Sequence, residues 1–204
     1  MDRCFQTTQG SSDQHQAAKA GEAEAEVRII FPWTSKGMTS EALDSLNELT
    51  TSDESTTVNV EGSDTAYAEL ILALWEKQKT FLLWEHDIIG NALALAEMYV
   101  CPEEWCSSGY TYFNQPVATS GGGLGFTKFS SSLMKRWPTM VREAMELPYP
   151  GHPPWHWCGC DYRIYRMLQI GGLSAAEYPA KRHDTHTPVG HRPGLCSHGC
   201  KETL

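Results

Sequence analysis

The chain has 204 residues, which is enough for one well-buried domain, and its apolar fraction of 41% is ordinary for a globular protein. Acidic residues outnumber basic ones to give a formal net charge of −9, a field that repels polyanions and disfavours nucleic acid as a partner. The apolar runs are shorter than the roughly 20 residues of a membrane span, and the first residues lack the order of a secretory signal, so we expect a cytoplasmic protein with no membrane span.

The first elements are predicted from residue 27 onward. Residues 1–26 are rich in Gln, Ser, Ala, Gly and Glu, a composition that predicts a disordered N-terminal tail. Residues 27–31 form a β-branched run that predicts a first strand, and Pro32 ends it, with residues 33–37 predicted as the loop that follows. Thr39 or Ser40 can cap the next helix, because good first-turn residues follow both.

A repeated strand and helix order continues through the first half of the chain. Residues 56–61 predict a second strand, residues 64–78 an amphipathic helix, and the apolar run at residues 81–84 a third strand. A further helix is predicted from Asn91 to Met98. Strand, helix, strand, helix and strand in this order predict a parallel sheet with right-handed crossovers.

The second half of the chain is less regular in pattern. Strands are predicted at residues 105–113 and 126–129, and helices at 131–137 and 161–168. The glycine-rich segment 121–125 lacks the features of a phosphate-binding loop and is predicted to be a mobile loop on the acceptor side. Residues 149–157 predict a surface loop, and residues 193–204 a C-terminal tail that contains Cys and His, so the domain is expected to span 27–192.

The most informative segment is Glu85-His86-Asp87, which follows the apolar run of the third strand. Residues two apart in a strand point to the same face, so Glu85 and Asp87 can both face one metal ion while His86 points elsewhere. The carboxyl end of a strand is also where open α/β sheets bind ligands. The simpler alternative is an acidic turn at the end of a strand, without any metal.

The order of these motifs resembles that of compact nucleotide-sugar glycosyltransferases with the GT-A fold. It comprises a strand and loop at Pro32, a second strand, a helix, the apolar strand that ends in Glu85-His86-Asp87, and Asp161 before a late helix. The family signature is Asp-x-Asp, so Glu85 matches it in charge but not in identity. The resemblance covers residues 27–191 and implies a single α/β domain, Rossmann-like, with a mainly parallel central sheet flanked by helices.

The resemblance also implies a function and a set of ligands. The expected activity is a metal-dependent transferase that moves a sugar from a nucleotide-diphosphate donor to a hydroxyl acceptor. A divalent cation, manganese (Mn²⁺) or magnesium (Mg²⁺), would neutralise the leaving diphosphate. Asp87 is the first expected metal ligand, and Glu85 either contacts the metal or holds the ribose. The oligomeric state stays open.

Further site residues follow from the same resemblance. Pro32, Trp33 and Thr34 are expected to face the nucleotide, and Glu61 at the end of the second strand to hydrogen-bond its ribose or base. His191 is the expected late metal ligand, preferred to His186 because Pro188-Val189 predicts a short extended segment that returns toward the sheet. A surface histidine is the plain alternative.

Asp161 is expected to be the catalytic base that deprotonates the acceptor hydroxyl. An N-cap role in the helix that begins there is an equally good alternative. Trp155 and Trp157, just before it, can line a sugar pocket or can simply be core.

The cysteines support a rival hypothesis, a non-catalytic zinc-binding or interaction protein. Seven cysteines in a reducing compartment favour thiols or a metal site over disulfides. Cys158 and Cys160, with Cys196, His198 and Cys200, supply enough soft ligands for one zinc ion, although their spacing is tight. The favoured alternative is a terminal tail whose thiols have no role in the fold. Cys101 and Cys106 are predicted to be half-buried packing residues. A degenerate transferase that binds a nucleotide without turnover is a third hypothesis.

Overall fold

The computed structural model describes residues 27–112, 123–170 and 182–191. The predicted tails, residues 1–26 and 193–204, lie outside the described residues. In chain order the elements are β1 (Arg28–Trp33), α1 (Ser40–Leu49), β2 (Ser55–Asn59), α2 (Ala66–Glu76), β3 (Phe81–Trp84), β4 (Ile88–Ile89), α3 (Ala92–Val100), β5 (Trp105–Tyr112), β6 (Phe126–Phe129), α4 (Ser131–Arg136), α5 (Met140–Met145), a short 3-10 helix (Trp157–Gly159), α6 (Cys160–Ile170) and β7 (Arg182–His191).

The fold is α/β, with a seven-stranded mixed sheet in the order β2-β1-β3-β6-β5-β7-β4. The expectation of a mainly parallel sheet is wrong, because β6 pairs antiparallel with both β3 and β5, and β4 pairs antiparallel with β7. Only β1–β2, β1–β3 and β5–β7 are parallel among the described strands. The strand and helix alternation behind this expectation runs only through β3, and the three strands that it covers, β1, β2 and β3, are indeed parallel.

Both faces of the sheet are covered by helices. Alternation along β1 sends Ile30 to one hydrophobic cluster and Ile29 and Phe31 to the other, and β3 divides its side chains in the same way. The first cluster includes residues of α2, α4, α5 and α6, and the second includes residues of α1 and α3. The central strands are therefore buried on both sides, which explains the continuous apolar run of β3.

The first strand runs two residues beyond its predicted end. Pro32 pairs with Val58 of β2, and the strand ends at Trp33. The amide nitrogen of Ile29 faces β2, where it donates to the Glu54 carbonyl at 2.9 Å, so by alternation the nitrogen of Pro32 faces the β3 side. Ile30 is the last residue of β1 that pairs with β3, so Pro32 removes no hydrogen bond from that ladder.

Local helix signals agree with the structure more closely than strand ends do. Thr39 caps α1 by accepting the Ala42 amide at 3.2 Å, and Asn91 caps α3 by accepting the Ala94 amide at 2.9 Å. Helix α5 was not predicted from the sequence, because its six residues are too few to display a helical period.

Among the described residues, no helix has the length and apolar character needed to cross a bilayer.

Cys101 and Cys106 form a disulfide and both are buried. The expectation that they are half-buried packing thiols is therefore wrong. Cys101 is the C-cap of α3 and Cys106 lies near the start of β5, so the short turn between these elements brings the two sulfur atoms together.

Candidate functional site

The acidic triplet Glu85-His86-Asp87 forms a tight turn that follows β3. The Ile88 amide donates to the Glu85 carbonyl at 3.1 Å, which closes the turn before the two-residue strand β4. The sequence predicts a helix from Asn91 as the next element after the third strand, and this order is wrong because β4 intervenes before α3. The turn still stands at the carboxyl end of β3, the edge at which the site was expected.

Glu85 lies against helix α2. The Tyr67 hydroxyl donates a hydrogen bond to Glu85 Oε1, and the Glu85 amide donates to the Gly125 carbonyl at 2.8 Å. Burial, together with the negative charges of Asp161 and Asp87, raises the pKa of Glu85 well above its usual range, against the lowering effect of the Tyr67 hydrogen bond. A nearby cation would therefore strongly favour its ionised form.

Asp87 lies beside His191, the predicted late histidine. Asp87 Oδ2 is 3.2 Å from His191 Nε2, and both side chains are mostly buried. Asp87 Oδ1 is buried and has no hydrogen-bond partner within the part of the chain that the structure describes. Strand β7 brings His191 to this position, because its residue 191 pairs with Ile88, one residue beyond Asp87. The Nδ1 atom of His186, in contrast, lies 3.5 Å from Glu97 Oε2.

Asp161 reaches the same site from the first turn of α6. Its Oδ2 accepts the Leu124 amide at 3.2 Å, so the carboxylate bonds a distant segment and does not cap its own helix. Burial and the charge of Asp87 raise the pKa of Asp161 from 3.8 to about 6, although the Leu124 bond and His191 act in the opposite direction. An aspartate with this pKa is mostly ionised at neutral pH and still accepts a proton readily.

The last residues of the glycine-rich segment line the site. The Gly125 amide donates to the Tyr110 hydroxyl at 2.7 Å, and a Cβ on Gly125 would lie 3.1 Å from Glu85 Oε2. The Tyr110 ring stacks on His191 at 5.3 Å between centroids. Residues 121 and 122 of the predicted mobile loop lie outside the described residues, and the part that is described packs closely on the carboxylates.

His86 points to the other side of the turn, toward the loop that follows β1. Its ring is so close to Gly37 that a Cβ there would lie 2.2 Å from His86 Nε2. Burial lowers the pKa of His86, against the raising effects of Asp87 and of a hydrogen bond to the Pro32 carbonyl. Its ring also stacks on Trp157 at 5.8 Å, and Trp157 packs on Tyr67 at 4.8 Å.

The residues predicted to hold the nucleotide gather at the same edge of the sheet. Thr34 is buried and its hydroxyl accepts the Gly37 amide at 3.1 Å. Glu61 accepts the Ser35 hydroxyl at 2.5 Å, and this hydrogen bond is the main cause of a lowered pKa of Glu61. Pro32 and Trp33 are the last residues of β1, next to this loop. Trp155, considered as a pocket residue, donates instead to Glu146 Oε1 at 3.0 Å.

Tyr67 and Tyr110, two further residues of the site, were not predicted from the sequence. Tyr67 was one more position on an amphipathic helix, and Tyr110 one residue of a predicted strand. Both hydroxyls are buried, and burial first and the charge of Glu85 second raise the pKa of each well above its usual range. A tyrosine on the buried face of a helix is a weak indication of a polar partner, because its hydroxyl needs one.

Metal-binding capacity differs between this site and two others. Among the described residues, His152, His156 and Cys158 have ligand atoms within 4.8 Å of one another. Cys101, Cys106 and His186 are equally close, but the disulfide between the two cysteines leaves no thiolate to bind a metal. The site of Glu85, Asp87, Asp161 and His191 offers carboxylate oxygens and one imidazole instead of thiols. Their oxygen-rich set, with one buried carboxylate oxygen that lacks a partner among the described residues, fits a hard divalent cation that also takes water or substrate oxygens.

A cavity lies away from these carboxylates. It has a volume of about 230 Å³ and is lined by Arg28, Ile30, Thr56, Val58, Leu70, Leu74, Lys77, Lys79, Thr80 and Phe81. Arg28 and Phe81 begin β1 and β3, so this cavity lies at the edge of the sheet opposite to the carboxylates.

Comparison with known proteins identifies no family. No family model matches the chain, and no curated protein matches it. The crystal structure of A197 from STIV is similar to this chain at 12% sequence identity with a TM-score of 0.46, over 81% of this chain and 86% of that one. A likeness this weak carries no argument about function, which has to be argued from the chain's own side chains.

Proposed function

We propose that this protein is a metal-dependent glycosyltransferase of GT-A-like fold that moves a sugar from a nucleotide-diphosphate donor to a hydroxyl acceptor. The observation that carries the proposal is the convergence of Glu85, Asp87 and Asp161 with His191 in one buried site. Buried like charges are costly, and a cluster of them at a sheet edge is typical of a site that binds a cation.

The metal would be held by Asp87 and His191, with Glu85 as a further carboxylate. Asp87 offers its buried Oδ1, and the neighbouring His191 supplies a ring nitrogen. A bound Mn²⁺ or Mg²⁺ supplies charge neutralisation for the departing diphosphate. The Tyr67 hydroxyl donates to Oε1 and would hold the Glu85 carboxylate in one orientation while a cation is bound.

The nucleotide would bind where β1 and β2 end. Trp33 offers a partly exposed aromatic face, and Glu61 an exposed carboxylate that can accept from a ribose hydroxyl. Ser35 donates to Glu61, so the loop after β1 and the loop after β2 form one continuous surface. His86 packs between this surface and the metal site. It would therefore fix the distance between the nucleoside and the diphosphate of a bound donor.

Asp161 would act as the base that removes the proton from the acceptor hydroxyl. Its raised pKa improves proton acceptance, and the Leu124 amide holds one carboxylate oxygen in place. Trp157 lies between Tyr67 and His86, close in sequence to Asp161, and its partly exposed ring can pack on a sugar.

The proposal is tested by thermal shift with UDP and GDP, each with and without Mn²⁺, on wild type and Asp87→Asn. We expect a metal-dependent rise in Tm for wild type with one of the nucleotides, and none for Asp87→Asn. Asp44→Asn, on the exposed face of α1, is the matched control and should respond like wild type. With the matching nucleotide sugar, Asp87→Asn should lower donor hydrolysis and transfer by about 100-fold or more.

The outcomes separate this proposal from its rivals. Unchanged turnover in folded Asp87→Asn protein would overturn the metal role of the triplet. Nucleotide binding without turnover on any donor would identify a degenerate transferase. No shift with either nucleotide, together with stoichiometric zinc that supports stability, would favour a non-catalytic zinc-binding or interaction protein.

A further inference from the structure

A second group of ligand-type side chains lies between α5 and α6, in the loop after α5 and in the short 3-10 helix that follows it. His152, His156 and Cys158 have ligand atoms that all lie within 4.8 Å of one another. The two imidazole rings are 4.6 Å apart between centroids. His152 and Cys158 are partly exposed, so an ion from solvent can reach the group, while His156 is buried.

The chemistry and the spacing of these residues suit zinc. Two imidazoles and one thiolate are ligands that Zn²⁺ prefers over the hard cations expected at the carboxylate site. The histidines are separated by three residues, a spacing common in zinc sites. The set differs from the one expected from the sequence, which paired Cys158 with Cys160.

Cys160 is directed away from this group. Its Sγ lies 3.8 Å from Met145 Sδ and 3.6 Å from the His156 carbonyl, inside the first hydrophobic cluster. Burial is the main cause that raises the pKa of the Cys160 thiol, which keeps it protonated. Cys196, His198 and Cys200, the other residues of that expected set, lie outside the described residues.

One hydrogen bond and one nearby carboxylate prepare a ring nitrogen of His156 for a metal. The Cys158 amide donates to Nδ1 at 3.2 Å, so Nδ1 carries a lone pair, and Nε2 lies 3.7 Å from Asp64 Oδ2. A proton on Nε2 that faces a carboxylate is the usual arrangement around a histidine that binds metal through its other nitrogen. An ion near Cys158 would replace the amide hydrogen as the partner of Nδ1.

The loop is held in shape independently of any ion. The buried guanidinium of Arg163 donates to the carbonyls of Leu147, His152 and Pro153, at 2.8, 3.3 and 2.9 Å. Trp155 adopts a positive φ of 66°, a conformation that non-glycine residues keep only where neighbouring contacts require it. The ligands therefore stand close together before an ion binds, which lowers the entropic cost of binding.

We propose that His152, His156 and Cys158 form a zinc site, with a fourth ligand from solvent, that stabilises the loop leading to Trp157 and Asp161. The site is independent of the proposed transferase activity. The expected role is structural, because the residues of the site flank Trp157, which packs on Tyr67 and His86, and precede Asp161 in α6. Zinc binding would thus stabilise the loop next to the carboxylate site.

The test uses the full-length chain after metal removal, titrated with Co²⁺ and then with Zn²⁺. A thiolate ligand gives Co²⁺ a sulfur charge-transfer absorption band that oxygen and nitrogen ligands do not give, so the readout separates this site from the carboxylates. We expect one equivalent of Co²⁺ with this band, displacement by Zn²⁺, and a zinc-dependent rise in Tm. Cys158→Ser and His152→Gln should each remove the band and the rise.

A double variant Cys196→Ser/Cys200→Ser is the matched control, because it removes the other soft ligands expected from the sequence. It should keep both the band and the zinc-dependent rise in Tm. Absence of the band in the wild type, its persistence in Cys158→Ser, or its loss in the Cys196→Ser/Cys200→Ser protein would overturn the proposal. Asp87→Asn should leave the band unchanged, which separates failure of this site from failure of the transferase proposal.

Discussion

At the scale of single residues, the buried carboxylate of Asp161 should reduce stability above its pKa. Its folded-state pKa of about 6 exceeds the ordinary value of 3.8, so the native state binds this proton more tightly than the unfolded chain does. The stability that protonated Asp161 gives to the folded state is fully present below about pH 4 and is lost as the pH rises through about 6. In chelator, Asp161→Asn should therefore raise the free energy of unfolding at about pH 8 by on the order of 2 kcal/mol.

Urea unfolding at about pH 8 and about pH 4 checks this prediction, and the gain should vanish at the lower pH. A gain of equal size at both pH values would instead indicate improved packing by the amide. The same variant should lower the transfer rate with little effect on donor affinity, as expected for a base. Loss of donor affinity would point to a binding role for Asp161.

At the scale of elements, the segment before β6 is fitted closely to the acidic turn. A Cβ on Gly125 would lie 2.9 Å from Ile88 Cγ1 and 3.0 Å from the Tyr110 hydroxyl. We expect Gly125→Ala to lower the free energy of unfolding by about 1 to 3 kcal/mol, because two packed segments must separate. The metal-dependent nucleotide shift should also fall, since Glu85 and Tyr110 move.

Gly62→Ala is the comparison for this variant. Gly62 has a φ of 98°, and a Cβ added to it would meet no atom within 4 Å, so alanine there strains the backbone alone. It should cost about 1 kcal/mol without changing the nucleotide response. Equal loss of nucleotide response in both variants would show that general destabilisation, and not the fit at Gly125, is responsible.

At the scale of the whole molecule, the two hydrophobic clusters should unfold together. Leu46 of α1 is buried in one cluster and Ile71 of α2 in the other, and both clusters share the strands β1 and β3. Leu46→Ala and Ile71→Ala should each cost about 2 to 5 kcal/mol. Far-UV circular dichroism and tryptophan fluorescence should report coincident urea transitions in each variant.

Leu93→Ala provides the control, because Leu93 is 59% exposed on α3 and its loss should change stability by less than about 0.5 kcal/mol. Two separate transitions in either core variant would show that the faces of the sheet unfold independently. That result would contradict the view of β1 and β3 as the common centre of one cooperative unit.

The amino-acid sequence by itself determined the features that depend on neighbouring residues. The apolar run of β3, the cap at Thr39 and the acidic segment after β3 all follow from short-range pattern, because capping and side-chain alternation act over a few residues. Glu85 and Asp87 were predicted as metal ligands from strand alternation, whereas Asp161 and His191 were predicted from the family resemblance, and the roles of all four stay predictions.

Only the tertiary structure decided which of these residues meet. Strand order places His191 beside Asp87, the reversed strand β6 brings Gly125 and Leu124 onto the carboxylates, and α2 places Tyr67 over Glu85. The same is true of Cys158, which meets His152 and His156 and not Cys160. Such contacts depend on how strands pair and which face each helix buries, and residues far apart in sequence carry no local signal of either.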